Sequence, residues 1–328
     1  MSAKQLGQAS LATKTAFLFP GQGSQKAGML AELAEQFSGV QATFAEASEA
    51  VGFDLWHIAQ SGEGLDQTEF TQPVLLTASI ALWRVWLELG GVVPKCMAGH
   101  SLGEYSALVA AGAMTLGDAV KLVNLRGKLM QSAVPQGQGT MAAILGLDDA
   151  KVLELCEQAN MQGRGSVEAA NYNANGQVVI AGDKTLVEAV MASAKENGGK
   201  AIALPVSVPS HCSLMKPAAE QFSQALEQTA IELPRIPVIQ NVNAEIATDV
   251  AQLRQALTAQ LYQSVQWSKT MQFIQDQGVQ YVAECGPGNV LANMAKRLPN
   301  IEKAFPLDST GRLEDALNAI LMAEGKIA

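Results

Sequence analysis

Cysteine, histidine and charged residues are scarce in this chain of 328 residues, which has four cysteines, three histidines and 16% charged residues. The cysteines show no C-x-x-C spacing and the histidines no H-x-x-x-H pattern, so no metal site is expected. No apolar run approaches the roughly 20 residues needed to cross a bilayer, which argues against a membrane protein. Basic runs are also missing and the net charge is −9, so a nucleic-acid partner is not expected.

An export signal is missing as well. Residues 1–14 have no apolar core and no cleavage-site pattern, which predicts a loose leader and not a signal peptide. Four isolated cysteines without an export signal predict reduced thiols and a cytoplasmic location. The chain is rich in apolar residues, at 48%, and over this length they are sufficient to bury one large core or two modest ones.

The sequence is organised around residues 99–103, Gly-His-Ser-Leu-Gly. An apolar run precedes this G-x-S-x-G pattern and an alanine-rich segment follows it, which predicts a strand, a sharp turn and a helix. Glycines are needed where such a turn is strained and neighbouring backbones approach too closely for a Cβ. The Ser101 hydroxyl would project at a helix N-terminus, whose free N–H groups favour a developing negative charge. Ser101 is therefore a candidate nucleophile.

A second glycine-rich segment, Pro20–Gln25, follows a predicted buried strand at Thr15–Phe19. Lys26 stands where a dinucleotide fingerprint needs its third glycine, and the lysine and hydroxyl of a P-loop are missing, so no phosphate site is predicted. We interpret the loop as presenting backbone N–H groups to the cleft that contains Ser101. An ordinary strand-to-helix turn is the alternative.

Helical periodicity is predicted over residues 27–55 and 74–89, with Pro73 in the first turn of the second helix. Thr115 begins a capping box that opens a third helix, which extends to about Gln131. Arg126 falls in the apolar stripe of this third helix. Because a guanidinium cannot lose its charge, burying it without an anion is costly. Either an internal Asp or Glu, or a substrate carboxylate bound by two hydrogen bonds, would meet it.

The pattern of predicted strands and helices changes in the middle of the chain. Strand and helix patterns alternate there in the order βαββαβ, at Thr140–Leu147, Asp149–Ala159, Val167–Asn173, Gln177–Ala181, Leu186–Asn197 and Ala201–Val208. This order predicts a ferredoxin-like unit. We expect it as an insert at 135–208 in a larger domain formed by 1–134 and 209–328.

His211 follows the predicted insert, on a loop between Pro209 and Pro217. The two predicted domains should meet there, and ligand sites favour such junctions. A histidine is the base that a serine nucleophile requires near neutral pH. A structural role for His211 is the alternative. Further core strands are predicted at Pro237–Val242 and Gln280–Glu284.

Five motifs occur together in this sequence: Phe19–Gln25 (Phe-Pro-Gly-Gln-Gly-Ser-Gln), Gly99–Ser106 (Gly-His-Ser-Leu-Gly-Glu-Tyr-Ser), Arg126-Gly127, Pro209-Ser210-His211 and Gly286-Pro287-Gly288. In identity and order they resemble those of the malonyl-CoA:acyl carrier protein transacylases, from about Thr15 to Arg297. The resemblance implies an α/β fold, with an α/β-hydrolase-like core built on a parallel sheet and a ferredoxin-like insert. The active site would lie in the groove between them.

The resemblance also implies roles for individual residues. Ser101 would be the nucleophile, His211 its base, and Arg126 the group that binds the malonyl carboxylate. The backbone N–H groups of Gln22 and Leu102 would form the oxyanion hole, and Gln22 would also contact the substrate.

Two further residues complete the implied site. Gln260 would accept a hydrogen bond from the histidine in place of the usual aspartate. We expect this neutral acceptor to hold the imidazole without repelling a substrate carboxylate. His100, beside the nucleophile, would support the substrate site or serve only in packing.

The implied reaction moves a malonyl group from malonyl-CoA to the phosphopantetheine thiol of acyl carrier protein through a malonyl-Ser101 ester, with ping-pong kinetics. It would supply extender units for fatty-acid synthesis and would need no cofactor. Because carrier proteins are acidic, a local basic patch is expected, and the resemblance suggests Lys200, Lys296 and Arg297. The alternatives are a trans-acting acyltransferase of polyketide synthesis, a serine esterase or thioesterase, and a non-catalytic scaffold.

Overall fold

The computed structural model describes residues 13–162, 164–206 and 208–327, so most of the predicted leader at 1–14 lies outside the described residues. Its strands, in chain order, are β1 Thr15–Phe19, β2 Cys96–Gly99, β3 Gly139–Leu145, β4 Val167–Ala174, β5 Gln177–Asp183, β6 Lys200–Ala203, β7 Val238–Ile239, β8 Tyr281–Glu284 and β9 Lys303–Pro306.

Helices connect these strands. They are α1 Ala31–Gln36, α2 Ser38–Val51, α3 Leu55–Ser61, α4 Thr68–Glu88, α5 Gly103–Ala110, α6 Leu116–Ser132, α7 Asp149–Gln162, α8 Lys184–Glu196, α9 Lys216–Gln228, α10 Val250–Ala259, α11 Trp267–Asp276, α12 Val290–Ala295 and α13 Thr310–Ala323, with a short 3-10 turn at Ser213–Met215.

A parallel sheet forms the centre of the larger part of the described chain. Its strand order is β7-β2-β1-β8-β9, and every neighbouring pair is parallel. β1 and β2 are buried along their whole length, as expected for strands covered by helices on both faces. Because the strands are parallel, β1 and β2 both end at the same edge of the sheet, which is where ligand sites of α/β proteins lie.

A separate antiparallel sheet, of order β4-β5-β3-β6, contains the strands of the middle segment. Its strands and helices occur in the predicted order, although β6 ends at Ala203, before the predicted end at Val208. α7 and α8 cover one face of this sheet. The other face includes Met141 and Val179, and it packs on Cys212, next to His211. The small sheet therefore covers the edge of the large one.

The helix predicted to begin at Val74 begins at Thr68 instead, with Pro73 inside it. A proline removes the N–H that would bond to the carbonyl four residues earlier. That carbonyl, on Glu69, accepts a hydrogen bond of 2.8 Å from Nδ2 of Asn124 on α6. The helix can therefore continue through the proline. The predicted helix at 27–55 is also interrupted, because Phe37 is extended and separates α1 from α2.

Gly127 sets the distance between α4 and α6. A Cβ at this position would lie 2.6 Å from the carbonyl oxygen of Thr68 and 2.7 Å from the Cα of Glu69, closer than real contacts allow. α6 therefore lies directly against the first turn of α4. This contact fixes the neighbouring residue, Arg126, relative to α4.

Candidate active site

Ser101 lies in the turn between β2 and α5, where its backbone is left-handed with a φ of 52°. Two glycines make this turn possible. A Cβ on Gly99 would overlap the carbonyl group of Gly103, and a Cβ on Gly103 would overlap the carbonyl oxygen of Phe19. The predicted strand, tight turn and helix are confirmed, and Ser101 lines a cleft at the end of the strand.

His211 contacts the Ser101 hydroxyl from the loop between the two prolines. Its Nε2 lies 2.8 Å from Ser101 Oγ, and its Nδ1 lies 2.6 Å from the backbone carbonyl oxygen of Gln260. A carbonyl oxygen can only accept, so Nδ1 carries the proton and the Nε2 lone pair accepts from the serine. The His211 amide also donates to the Leu261 carbonyl at 3.0 Å. This arrangement can remove the proton of Ser101.

The expected hydrogen bond between the histidine and Gln260 is present, but the acceptor is the main chain of Gln260. Its side chain has other partners: Nε2 donates to Glu104 Oε2 at 2.7 Å and to the Ser101 carbonyl at 3.0 Å, and Oε1 accepts from Arg126. Gln260 therefore accepts from His211 as predicted, through its backbone carbonyl and not through its side-chain amide. A backbone carbonyl is neutral whatever side chain is attached to it.

Burial lowers the pKa of His211 to about 3, with a further contribution from Arg126, while the hydrogen bond to Gln260 acts in the opposite direction. Burial disfavours the charged imidazolium, and the nearby guanidinium repels it. His211 is therefore neutral in the empty site at physiological pH. A neutral imidazole is the form that acts as a general base.

Arg126 is buried, with 1% of its surface exposed, and its partners are neutral. Nη1 donates to Gln72 Oε1 at 2.9 Å, and Nη2 donates to Gln260 Oε1 at 2.9 Å and to Ser101 Oγ at 3.3 Å. Its guanidinium also lies 5.4 Å from the ring centre of Tyr105. Within residues 13–327 as described, no carboxylate forms an ion pair with Arg126. The internal-acid alternative is therefore not present as a direct contact, and the buried acid Glu104 is linked to Arg126 only through the Gln260 side chain.

The two backbone amides expected to form the oxyanion hole both border the cleft. Leu102 follows the nucleophile directly, and Gln22 lies in the loop after β1. That loop touches the turn at residues 99–103 around Ser101, which we call the elbow, since a Cβ on Gly21 would overlap the carbonyl oxygen of His100. No acceptor among the described residues takes a hydrogen bond from either amide nitrogen. The glycine-rich loop thus faces the same cleft as Ser101, as the sequence predicted.

His100 connects the elbow to the small sheet. Its Nε2 lies 2.8 Å from Oδ1 of Asn173 on β4, and its ring lies 5.2 Å from the ring centre of Trp267. The cleft beside it has a volume of about 750 Å³ and separates the end of the large sheet from the small sheet. The side of the cleft on the small sheet is lined by Met141, Ala143, Asn171, Asn173, Gln177 and Val179.

Comparisons with known proteins agree on one family. Residues 16–311 match the acyl transferase domain family. The chain is similar to a malonyl CoA-acyl carrier protein transacylase from Salmonella typhimurium, at 52% identity over 93% of this chain and 99% of the relative. The chain belongs to the malonyl-CoA:acyl carrier protein transacylase family.

Solved structures extend this similarity to the fold. A crystal structure of FabD from Acinetobacter baumannii has a TM-score of 0.94 and 79% identity, covering 95% of this chain and 99% of that chain. A malonyl-transacylase solved in complex with its type II polyketide acyl-carrier protein has a TM-score of 0.90 and 48% identity, covering 93% of this chain and 99% of that chain. The α/β class with a parallel sheet is therefore shared with transacylases of known structure.

Sequence reasoning missed three polar residues that hold this transacylase site together. Asn241 accepts from the Ser101 amide at 2.7 Å and donates to the Gly99 carbonyl at 2.6 Å. Gln72 holds Arg126, and Glu104 holds the Gln260 side chain. Asn241 lies just after β7, in a strand predicted at 237–242, and its position at a strand end was the available signal. Glu104 lies inside the motif at Gly99–Ser106, which was the available signal for it, whereas nothing in the local sequence marks Gln72.

The three basic residues suggested for carrier docking are all exposed. Lys200 begins β6 at the edge of the small sheet, and Lys296 and Arg297 follow α12. α12 borders the cleft through Val290, Leu291 and Met294. Docking at these residues stays a prediction for this transacylase.

In the part of the chain that the structure describes, no three His, Cys, Asp or Glu side chains are placed to hold a metal ion. None of the described helices is long and apolar enough to cross a membrane.

Proposed function

We propose that this chain transfers the malonyl group of malonyl-CoA to the phosphopantetheine thiol of acyl carrier protein through a malonyl ester on Ser101. The observation that carries the proposal is Arg126, a buried cation without an ion pair among the described residues, whose Nη2 lies 3.3 Å from Ser101 Oγ. A permanent charge whose direct hydrogen-bond partners are all neutral favours an anionic ligand. Malonyl-CoA provides such an anion, because its acyl group carries a free carboxylate in addition to the carbonyl that forms the thioester with CoA.

In the first half-reaction, Ser101 Oγ attacks the thioester carbonyl carbon and its proton passes to Nε2 of His211. The amides of Gln22 and Leu102 are proposed to stabilise the oxyanion that forms. Collapse of this intermediate breaks the carbon–sulfur bond, and the proton on Nε2 moves to the sulfur of CoA, which leaves as a thiol. Arg126 holds the malonyl carboxylate through these steps.

In the second half-reaction, the thiol of the carrier gives its proton to Nε2 and attacks the malonyl ester. The bond between the ester carbonyl and Ser101 Oγ breaks, and the proton returns to that oxygen. No step requires a metal ion or a cofactor bound to this chain, and the phosphopantetheine belongs to the carrier. We assign the reaction to the cytoplasm, where malonyl-CoA is the donor for fatty-acid synthesis.

The same proposal includes a division of the chain. The antiparallel order β4-β5-β3-β6 with two helices on one face favours a ferredoxin-like subdomain. We assign it to 135–208 and the α/β-hydrolase-like core to 1–134 and 209–328. The cleft would then be the junction at which acyl donor and carrier meet.

A carrier of polyketide synthesis is a second candidate partner. It is favoured by the similarity to the malonyl-transacylase solved with its type II polyketide acyl-carrier protein. The two candidates share the acylation of Ser101 and differ only in the thiol that receives the malonyl group. Transfer rates from the malonyl-enzyme to carriers of each kind would separate them.

Intact-mass measurement after incubation with malonyl-, methylmalonyl- and acetyl-CoA tests the proposal. We expect one malonyl adduct, which peptide mapping places on Ser101 and which disappears when acyl carrier protein is added. Ser101→Ala should form no adduct. Ser106→Ala is the matched control, because the hydroxyl of this buried serine on α5 has no hydrogen-bond partner among the described residues. Steady hydrolysis of the adduct without transfer to a carrier would instead identify a thioesterase.

A further inference from the structure

Glu104 is a buried carboxyl group one helical turn beyond the nucleophile, with 1% of its surface exposed. It touches neither the Ser101 hydroxyl nor His211, so the reaction described above does not use it. Its Oε2 accepts two hydrogen bonds, from Gln260 Nε2 at 2.7 Å and from the Asn241 amide at 3.1 Å. A carboxyl group buried this completely is rare unless it is paired.

Each partner of Glu104 holds a different part of the acyl site. The Gln260 carbonyl holds His211, and Oε1 of the same residue holds Arg126. Asn241 accepts from the amide of Ser101. A single carboxylate oxygen is therefore linked, through one intervening residue in each case, to the nucleophile, the base and the cation.

The Gln260 amide can point in only one direction between its two charged neighbours. A guanidinium is only a donor and an ionised carboxylate only an acceptor. The amide oxygen must therefore face Arg126 and the amide nitrogen must face Glu104. Without an acceptor at position 104, the amide nitrogen keeps only the Ser101 carbonyl as a partner, and the side chain is held less firmly.

The second carboxyl oxygen, Oε1 of Glu104, has no hydrogen-bond partner among the described residues. A proton placed there would remove the charge while both bonds to Oε2 persist. Burial raises the pKa of Glu104 to about 7, against the lowering effect of its bonds to Gln260 and Asn241 and of Arg126. The charge can therefore change near neutral pH without loss of the geometry.

The titratable groups that face Glu104 are few. Arg126 faces it from α6, and Tyr105, whose pKa is raised mainly by burial, lies next to it on α5. The contacts from the remaining elements are the neutral groups of Gln260 and Asn241. A malonyl carboxylate bound at Arg126 would be a second anion in this surrounding.

We propose that Glu104 is a positioning residue of the acyl site, which orients the Gln260 amide toward Arg126 and whose negative charge opposes that of the bound malonyl carboxylate. Binding of the substrate then favours protonation of Glu104, and by linkage protonation of Glu104 favours binding. The half-saturating concentration of malonyl-CoA should rise as pH rises through 7, because the ionised form predominates above that pH.

Since this inference rests on the proposed function, the unaltered enzyme must first form the malonyl adduct on Ser101. The test then follows single-turnover acylation by mass spectrometry at several malonyl-CoA concentrations, near pH 6 and near pH 8. We expect the half-saturating concentration to rise by about fivefold or more in the unaltered enzyme. Inhibition of acylation by free CoA is measured in every variant at both pH values. It reports any effect of pH on binding that comes from the phosphates of CoA and not from the malonyl group.

Glu104→Gln keeps the shape and both acceptor bonds and removes the charge. Its half-saturating concentration should be the same at both pH values and close to the low-pH value of the unaltered enzyme. Glu284→Gln is the matched control, because Glu284 is also buried with its pKa raised to about 7 by burial, and it accepts from the Ala292 amide instead of Gln260. This control should keep the pH dependence.

Glu104→Leu removes the acceptor as well as the charge. It leaves the Asn241 amide and one N–H of the Gln260 side chain unpaired, so we expect the saturating acylation rate to fall by about tenfold or more. A folded Glu104→Leu that acylates at the unaltered rate would overturn the positioning role. If that variant does not fold, Glu104→Gln decides, since an unchanged pH dependence in it overturns the proposal. Absence of acylation in the unaltered enzyme would instead refute the proposed function.

Discussion

Replacing Arg126 by methionine should remove most of the preference for an acyl group that carries a carboxylate. Methionine keeps much of the side-chain length within an apolar stripe and removes the charge. Arg126 directs Nη2 toward Ser101 Oγ, and its Nε has no partner among the described residues. Two charge-assisted hydrogen bonds to a malonyl carboxylate contribute about 1.5–3 kcal/mol each. Together they amount to about 3–6 kcal/mol, or roughly 10²- to 10⁴-fold in kcat/KM.

The assay compares acylation of Ser101 by malonyl-CoA and by acetyl-CoA in the same variant. We expect kcat/KM to fall for malonyl-CoA and to change little for acetyl-CoA, because acetyl has no carboxylate to lose. Lys128→Ala is the matched control, since Lys128 is a cation on the same helix that is exposed and lies 4.0 Å from Glu69. This control should acylate like the unaltered enzyme.

Two results would refute the reasoning about Arg126. Malonyl acylation within tenfold of the unaltered rate would show that the guanidinium does not hold the acyl carboxylate. An equal loss for both thioesters would show general damage to the site, since Gln72 and Gln260 each lose a donor in this variant. Thermal unfolding of the variant separates such damage from loss of the fold.

Three further outcomes are expected. Because burial and Arg126 lower the pKa of His211 from 6.5 to about 3, the saturating acylation rate should stay level from about pH 8 to about pH 5; an acid limb near 6.5 would contradict a neutral buried base. Gly103→Ala should lower the free energy of unfolding in urea by several kcal/mol, since its Cβ would overlap the Phe19 carbonyl; unchanged stability would refute that close approach. Charge reversal at the suggested docking residues, Lys200, Lys296 and Arg297, should slow transfer to acyl carrier protein and spare acylation by malonyl-CoA. An equal loss in both steps would argue against docking at these residues.

Features encoded by adjacent residues could be predicted from the sequence. The elbow around Ser101 and the cap at Thr115, which accepts from the Asp118 amide at 3.0 Å, depend on residues within a few positions of each other. The start of α4 could not be predicted from its own residues. The carbonyl that Pro73 leaves without a donor is satisfied by Asn124, which is 55 positions away from Glu69.

The chemistry of the site is divided in the same way. Local sequence patterns predict the reactive residue types: a serine in a strained turn, a histidine on a proline-bounded loop and an arginine in an apolar stripe. Only the tertiary structure decided that Arg126 has neutral partners, that the main chain of Gln260 holds His211, and that Glu104 lies behind both. These hydrogen bonds join segments 49 or more residues apart, so their geometry exists only after those segments have packed together.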